Sequence, residues 1–169
     1  NREYRIIYNA IDVDKFLYNE DNRKKIRDEL NISEDEFVVG HVGRLSDVKN
    51  HDFLIDVFNE INKEVKSKLI LVGDGELRSR LEEKVRDLDL ENKVLFLGMR
   101  TDTEEILSAF DTYVFPSKYE GLSLSLVEAQ ASGLKCFCST NISEENNIVG
   151  NMYFTPLDKG AEYWKNLVL

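Results

Sequence analysis

Arg44 and Lys49 stand five residues apart in the stretch Gly40-His41-Val42-Gly43-Arg44-Leu45-Ser46-Asp47-Val48-Lys49-Asn50. Arginine presents a planar fork to an anion and lysine a point charge. A helix beginning just after them adds unpaired N–H groups and a partial positive charge. With Gly43 at the end of an apolar run, the segment could form an anion site. Taken alone, it suits a solvated basic pair in a polar loop equally well.

A second stretch, Tyr119-Glu120-Gly121-Leu122-Ser123-Leu124-Ser125-Leu126-Val127-Glu128-Ala129, supplies acids. Gly121 lets the backbone approach a ligand closely. The N–H groups of Leu122, Ser123, Leu124 and Ser125 open a helix and can hold phosphate oxygens. Glu128 falls about one and a half turns inside that helix. Its carboxylate can accept from vicinal hydroxyls such as those of a ribose. The spacing itself is uninformative. The 18 glutamates of the chain make about two pairs eight apart by chance, and two occur, the other being Glu83/Glu91. Only the Pro-Ser…Glu-Gly context, leaving a strand and entering a helix, distinguishes Glu120 and Glu128.

Other candidates carry less. Asp12-Val13-Asp14 and Asp87-Leu88-Asp89 spell D-x-D, but neither follows a strand, and hard cations need several converging oxygens. No metal is expected. Gly73-Asp74-Gly75 is too short for a dinucleotide fingerprint and reads as a strand-to-helix turn, with nucleotide proximity as the lesser alternative. His41, in an apolar strand, reads as a hydrogen-bonded core histidine, and His51 as a solvated residue at a helix start. Cys136 and Cys138 read as one face of a strand. Two cysteines cannot build a disulfide framework or a four-ligand zinc site. Glu82, Glu83, Lys84 and Arg86 read as an exposed helix face.

The elements that must position these residues follow from apolar periodicity. FVVGHV (37–42), KLILV (68–72), VLFLG (94–98), TYVFP (112–116) and KCFCS (135–139) are strands, and MYF (152–154) a weaker one. Between them lie helical stripes. Phe53, Leu54, Val57, Phe58 and Ile61 share a face over 50–64, and Leu77, Leu81, Val85 and Leu88 form the next stripe. Asp102 and Glu105 suggest a capping box ahead of Ile106, Leu107 and Phe110. Residues 123–132 form a helix closed by Gly133. Tyr163, Trp164, Leu167 and Val168 mark a final helix. Such alternation predicts an α/β fold, a doubly wound parallel sheet with ligands at the carboxyl ends of its strands. Residues 1–20, with the weak strand YRIIYNAI, read as a lead-in or interdomain linker, and 21–169 as the domain.

The 169 residues are 42% hydrophobic and 32% charged, with net charge −10. That composition is globular. The acidic balance and lack of a basic stripe argue against nucleic acid as a partner. No apolar run approaches the ~20 residues of a membrane span, and the first residues lack a signal-peptide core. A reducing, cytoplasmic setting fits.

Taken together, the motifs resemble the donor-binding C-terminal domain of family 4 retaining glycosyltransferases, which have the two-Rossmann-domain GT-B architecture. The likeness runs over IIYNAIDVDKF, VGRLSDVKN, LILVGDGELR, VLFLGMR and VFPSKYEGLSLSLVEAQASG. The tail, NMYFTPLDKGAEYWKNLVL, looks more like the exopolysaccharide and capsule branch. The resemblance implies that Arg44 and Lys49 grip a nucleotide diphosphate. It implies that Glu120, first acid of the E-x7-E motif, lies against the donor sugar, and that Glu128, the second, binds the ribose. By the same likeness Gly43 and the backbone of Gly121 to Ser125 approach phosphate and sugar, while Met99 and Arg100 lie along the base. It further implies a UDP-sugar donor, no metal, and an acceptor glycan or lipid-linked glycan held by an N-terminal domain absent from this chain. The full-length enzyme would be cytoplasmic or peripheral at the inner membrane face, and this piece alone would bind nucleotide weakly and catalyse little. Two departures stand out. Ser123 replaces the Gly or Pro of many relatives, and STNISEENN replaces a Gly-Gly turn. The alternatives are a GT-B nucleotide-sugar epimerase, which would lack the Glu-Gly…Glu context, and a non-catalytic sugar-nucleotide-binding domain.

Overall fold

The computed structural model describes residues 10–169, so most of the expected strand YRIIYNAI lies outside the described residues. Six strands form one sheet: β1 (Phe37–Val42), β2 (Ser67–Val72), β3 (Val94–Gly98), β4 (Thr112–Phe115), β5 (Cys136–Ser139) and β6 (Met152–Thr155). All neighbours pair parallel, in the order β3-β2-β1-β4-β5-β6. The chain order therefore reverses between β1 and β4, and a crevice opens outside their carboxyl ends. Register pairing of these two strands covers only Val39 with Thr112 and Gly40 with Tyr113. Beyond it, side chains fill the widening gap. The Tyr113 hydroxyl donates to the Val42 carbonyl at 3.0 Å and accepts the Val42 N–H at 3.1 Å.

The helices are α1 (Val13–Phe16), α2 (Glu20–Glu29), α3 (His51–Asn62), α4 (Arg78–Asp87), α5 (Thr103–Ser108), α6 (Leu124–Ala131) and α7 (Gly160–Val168). They cover both faces, as the near-continuous apolar strands require. Val38, Ile70, Tyr113, Phe115, Cys136 and Cys138 pack with Ile26 of α2, Ile106 of α5 and Leu126 of α6. Their strand neighbours Val39, Leu69, Leu71, Val114 and Phe137 pack with Leu54 and Phe58 of α3, Leu81 of α4 and Trp164 of α7. The pleat sends alternate residues to opposite layers, and each fully buried aliphatic or Phe side chain stabilises by roughly 1.5–3 kcal/mol. Gly40 has to be glycine, since a Cβ there would stand 1.9 Å from the Phe110 ring. Gly133 (φ +77°) ends α6 as expected. Its N–H donates to Gln130 and that of Leu134 to Ala129, completing a Schellman cap.

Four expectations need correction. A helix, α2, occupies 20–29, where apolar spacing gives no stripe. It is capped by Asn19, whose side chain accepts the Asn22 N–H at 2.9 Å. It is held by polar contacts: Arg27, 1% exposed, donates to the carbonyls of Ala109, Ser33 and Glu36 and to Asp111. The capping box at α5 does not form. Arg100 claims the Asp102 carboxylate with two bonds, at 2.8 and 2.6 Å, and Glu105 pairs with Lys25. His51 is fully buried rather than solvated. Glu82 and Lys84 are half-buried, pairing with Arg78 at 2.8 Å and with Asp56 of α3 at 2.7 Å, while Glu83 and Arg86 are exposed as expected.

Candidate functional site

β1 and β4 deliver their exit loops to the switch-point crevice. A 3₁₀ turn over Asp47–Lys49 follows β1, and Asn50 links it to α3 in the left-handed region (φ 58°). The Asn50 side chain donates to the Pro116 carbonyl at 3.1 Å, tying the β1 exit to the β4 exit. Lys49 Nζ then reaches Glu120 Oε1 at 2.6 Å and lies 4.6 Å from the centroid of the Phe115 ring. The two side chains are 16% and 20% exposed. Lys49 and Glu120, singled out on separate stretches of sequence, therefore meet.

Gly43, Arg44, Met99 and Arg100 line a cavity of about 390 Å³, together with Val42, Val72, Gly73, Asp74 and Thr103. Gly43 joins the cavity to the ion pair, because a Cβ there would sit 3.4 Å from Lys49 Cε. Gly73 and Asp74 are both the expected turn and part of the cavity wall. A Cβ on Gly73 (φ +128°) would be 2.2 Å from the Gly43 carbonyl oxygen. The Arg44 side chain is 74% exposed and pairs loosely with Glu76 at 3.2 Å. Met99 is 80% exposed. Arg100 is anchored between Asp102 and Glu29, whose carboxylates hold its charge above the ordinary arginine value.

Glu128 stands apart from the Lys49–Glu120 contact. Burial on α6, and then the charge of Glu104 at the start of α5, raises its carboxyl above the usual glutamate range. Among the described residues no cation pairs with it, so its oxygens can accept from hydroxyls.

At the start of α6, the four N–H groups expected to face a ligand are not equivalent. The Ser123 N–H is taken by Asn146 Oδ1 at 2.8 Å. Ser123 caps nothing with its hydroxyl, which faces the Ser125 hydroxyl at 3.2 Å. The N–H groups of Leu124 and Ser125 begin the helix and have no intrahelical acceptor. A Cβ added to Gly121 would meet nothing within 4 Å, so the turn is open on that side.

Behind the ion pair lie residues whose role here sequence periodicity does not reveal. The His41 ring donates from Nδ1 to the Val114 carbonyl at 2.9 Å, as a core histidine should. It meets the His51 ring edge-on at 4.7 Å. Among the described residues, His41 Nε2 and both ring nitrogens of His51 have no hydrogen-bond partner. Burial, and then the Lys49 charge, lowers His51 to about 4. Both rings are therefore neutral near pH 7. Cys136 and Cys138 are buried free thiols, and burial pushes Cys136 up to about 12. Among the described residues no group of three His, Cys, Asp or Glu side chains is placed to hold a metal, and no helix is long and apolar enough to cross a membrane.

A parallel sheet of this order, covered by helices on both faces, makes this a Rossmann-like α/β domain of the GT-B type. Residues 22–153 match the family described as Glycosyl transferases group 1, and the chain belongs to that family. It is 39% identical over 141 residues to EpsF of Bacillus subtilis (strain 168), covering 83% of this chain and 37% of that protein. It is 36% identical over 155 residues to the UDP-Gal:alpha-D-GlcNAc-diphosphoundecaprenol alpha-1,3-galactosyltransferase of Escherichia coli, covering 88% of this chain and 39% of the relative. The chain thus spans less than two fifths of the length of either. Among solved structures, Anabaena Alr3699/HepE in complex with UDP and glucose superposes with a TM-score of 0.85 at 27% identity, over 97% of this chain and 46% of that one.

Proposed function

We propose that this chain is the donor-binding domain of a retaining glycosyltransferase, which moves a sugar from a UDP-sugar to an acceptor hydroxyl in bacterial exopolysaccharide or capsule synthesis. The observation that carries the reading is the Lys49–Glu120 contact at the β1/β4 switch point, shortly before α6, whose opening N–H groups have no intrahelical acceptor. The UDP-Gal donor in the name of the E. coli relative and the UDP in the HepE complex support the same reading.

The roles follow from charge and position. Breaking the glycosidic bond leaves negative charge on the diphosphate. Lys49, Arg44 and the α6 start stabilise that charge more in the transition state than in the ground state. Glu120, steered by Lys49, positions the sugar, with Gly121 giving it room. Glu128 accepts from the ribose hydroxyls, and the cavity beside Met99 receives the base. The cations and the helix start offset the diphosphate charge, so binding needs no divalent metal. Residues 1–20 lead in from a second domain of a longer protein, which holds the acceptor glycan or lipid-linked glycan. The free thiols Cys136 and Cys138 suit a reducing cytoplasm.

Calorimetric titration of UDP and uridine tests this. Lys49→Ala is expected to cost UDP binding about tenfold, the low end for a charged hydrogen bond, and to leave uridine nearly unchanged. Glu128→Ala is expected to weaken both alike. Glu83→Ala, from the chance glutamate pair, serves as control, and EDTA should not change UDP affinity by as much as tenfold. The ribose assignment is lost if Glu128→Ala and Glu83→Ala behave the same.

A further inference from the structure

The loop after β5 reaches back to the turn that enters α6. Asn146, at the end of a 3₁₀ turn over Glu144–Asn146, is completely buried. Its Oδ1 accepts the Ser123 N–H at 2.8 Å. Its Nδ2 donates to the Gly121 carbonyl at 2.7 Å and the Ser143 carbonyl at 2.9 Å. These partners fix which way the carboxamide points, since an N–H faces one end and two carbonyls the other. Gln130, 4% exposed on α6, locks Asn146 from behind. Its Nε2 donates to the Asn146 carbonyl at 2.7 Å and its Oε1 accepts the Ile148 N–H at 3.0 Å. The same loop touches the neighbouring acid. Glu120 bridges to Ile142, and its carbonyl accepts the Ser143 N–H at 3.4 Å.

We propose that Asn146 is a positioning residue for the donor's diphosphate: it holds the Gly121–Ser123 backbone so that the N–H groups opening α6 face the ligand. The proposal rests on the donor-site reading above. Ser123 is the N-cap, yet its own hydroxyl caps no N–H of the helix. Serine is among the best capping residues, so leaving those N–H groups unclaimed sacrifices an available stabilising contact. Asn146 instead fastens the N–H of Ser123 itself. A turn held in its bound shape spares the ligand the entropy of ordering it. A neutral amide does this without placing an anion where phosphate must bind. The two departures noted in the sequence, Ser123 and the loop after β5, meet in this one contact. A proline at 123 could not make it, having no N–H.

The test compares Asn146→Ala and Asn146→Asp with Val85→Ala, a buried change in α4 far from the crevice. UDP and uridine affinities are measured by calorimetry, and melting temperature by circular dichroism. Asn146→Ala is expected to lose about tenfold in UDP affinity and less than twofold in uridine affinity. Asn146→Asp keeps the acceptor for Ser123 but sets a buried oxygen against the Gly121 and Ser143 carbonyls, so it should melt no later than the alanine variant. Its carboxylate repels phosphate, so it should lose at least as much UDP affinity as the alanine. Val85→Ala should melt earlier with UDP affinity intact. The inference is overturned if both Asn146 variants bind UDP within twofold of wild type, if UDP and uridine fall together, or if Val85→Ala loses UDP affinity in step with its melting temperature. A wild-type chain that binds none of UDP, GDP and ADP overturns the donor-site reading, and this inference with it.

Discussion

Strand β4 carries an acid at each end, and the two do opposite things. Asp111, just before the strand, accepts from Arg23 at 2.7 Å, from Arg27 at 2.7 Å and from the Val38 N–H at 2.7 Å. Arg27 spends three more of its five donors on carbonyls. Glu120, after the strand, has one side-chain partner among the described residues, Lys49, which in turn has a ring face beside it. Both clusters are ion pairs between distant segments. The first is saturated, so any exchange of partner would strand a buried group. The second has spare capacity on both members, so an incoming anion or hydroxyl can be accommodated. Saturation separates a cluster that serves the fold from one that can serve a ligand.

The largest expected effect breaks the saturated end. Asp111→Ala leaves two arginines unpaired, one of them 1% exposed, and should cost about 3–5 kcal/mol of stability. Lys49→Ala at the other end breaks one pair rather than two and leaves no arginine buried, so it should cost less, about 1–3 kcal/mol. Urea unfolding of both variants measures the contrast, and equal losses would abolish the distinction.

The next effect concerns what lies beneath Lys49. The folded His51 value of about 4 is below the 6.5 of an unfolded histidine. Between these values the unfolded chain takes up a proton that the folded chain does not. Stability is therefore undiminished above about pH 6.5 and falls as the pH drops toward 4, by ~3 kcal/mol over the full window. His41, also held low by burial, adds to the fall. His51→Leu should flatten the slope in urea unfolding between pH 4.5 and 7.5. A slope unchanged by His51→Leu would place the acid sensitivity elsewhere.

The smallest effect sharpens the ligand-facing end. Arg44 and Glu76 are 74% and 56% exposed, so Arg44→Ala should leave the melting temperature unchanged. It should weaken UDP binding by less than ~1 kcal/mol, a few-fold. A loss as large as that of Lys49→Ala would make Arg44 an equal partner on the diphosphate.

Short apolar runs and period-3.6 apolar stripes determined the six strands, five of the helices and the double-sided sheet. Such patterns record burial, and burial dominates folding energy. The Schellman turn at Gly133 was legible for a similar reason, since a left-handed residue has few alternatives to glycine. What tertiary structure decided was every choice between competing polar partners. Asp102 is spelled as a cap but answers to Arg100. His51 opens a helix but is pressed against His41. Helix α2 lacks an apolar stripe because Arg27 anchors it through hydrogen bonds. Asn146 is one asparagine among several in a polar loop until the fold brings it to Ser123. A polar side chain has many possible partners, and the long-range ones of Asn146 and Arg27 lie 23 to 84 positions away in the sequence. Hydrogen bonds are short and directional, so which one forms depends on where the packed apolar layers have already placed the backbone.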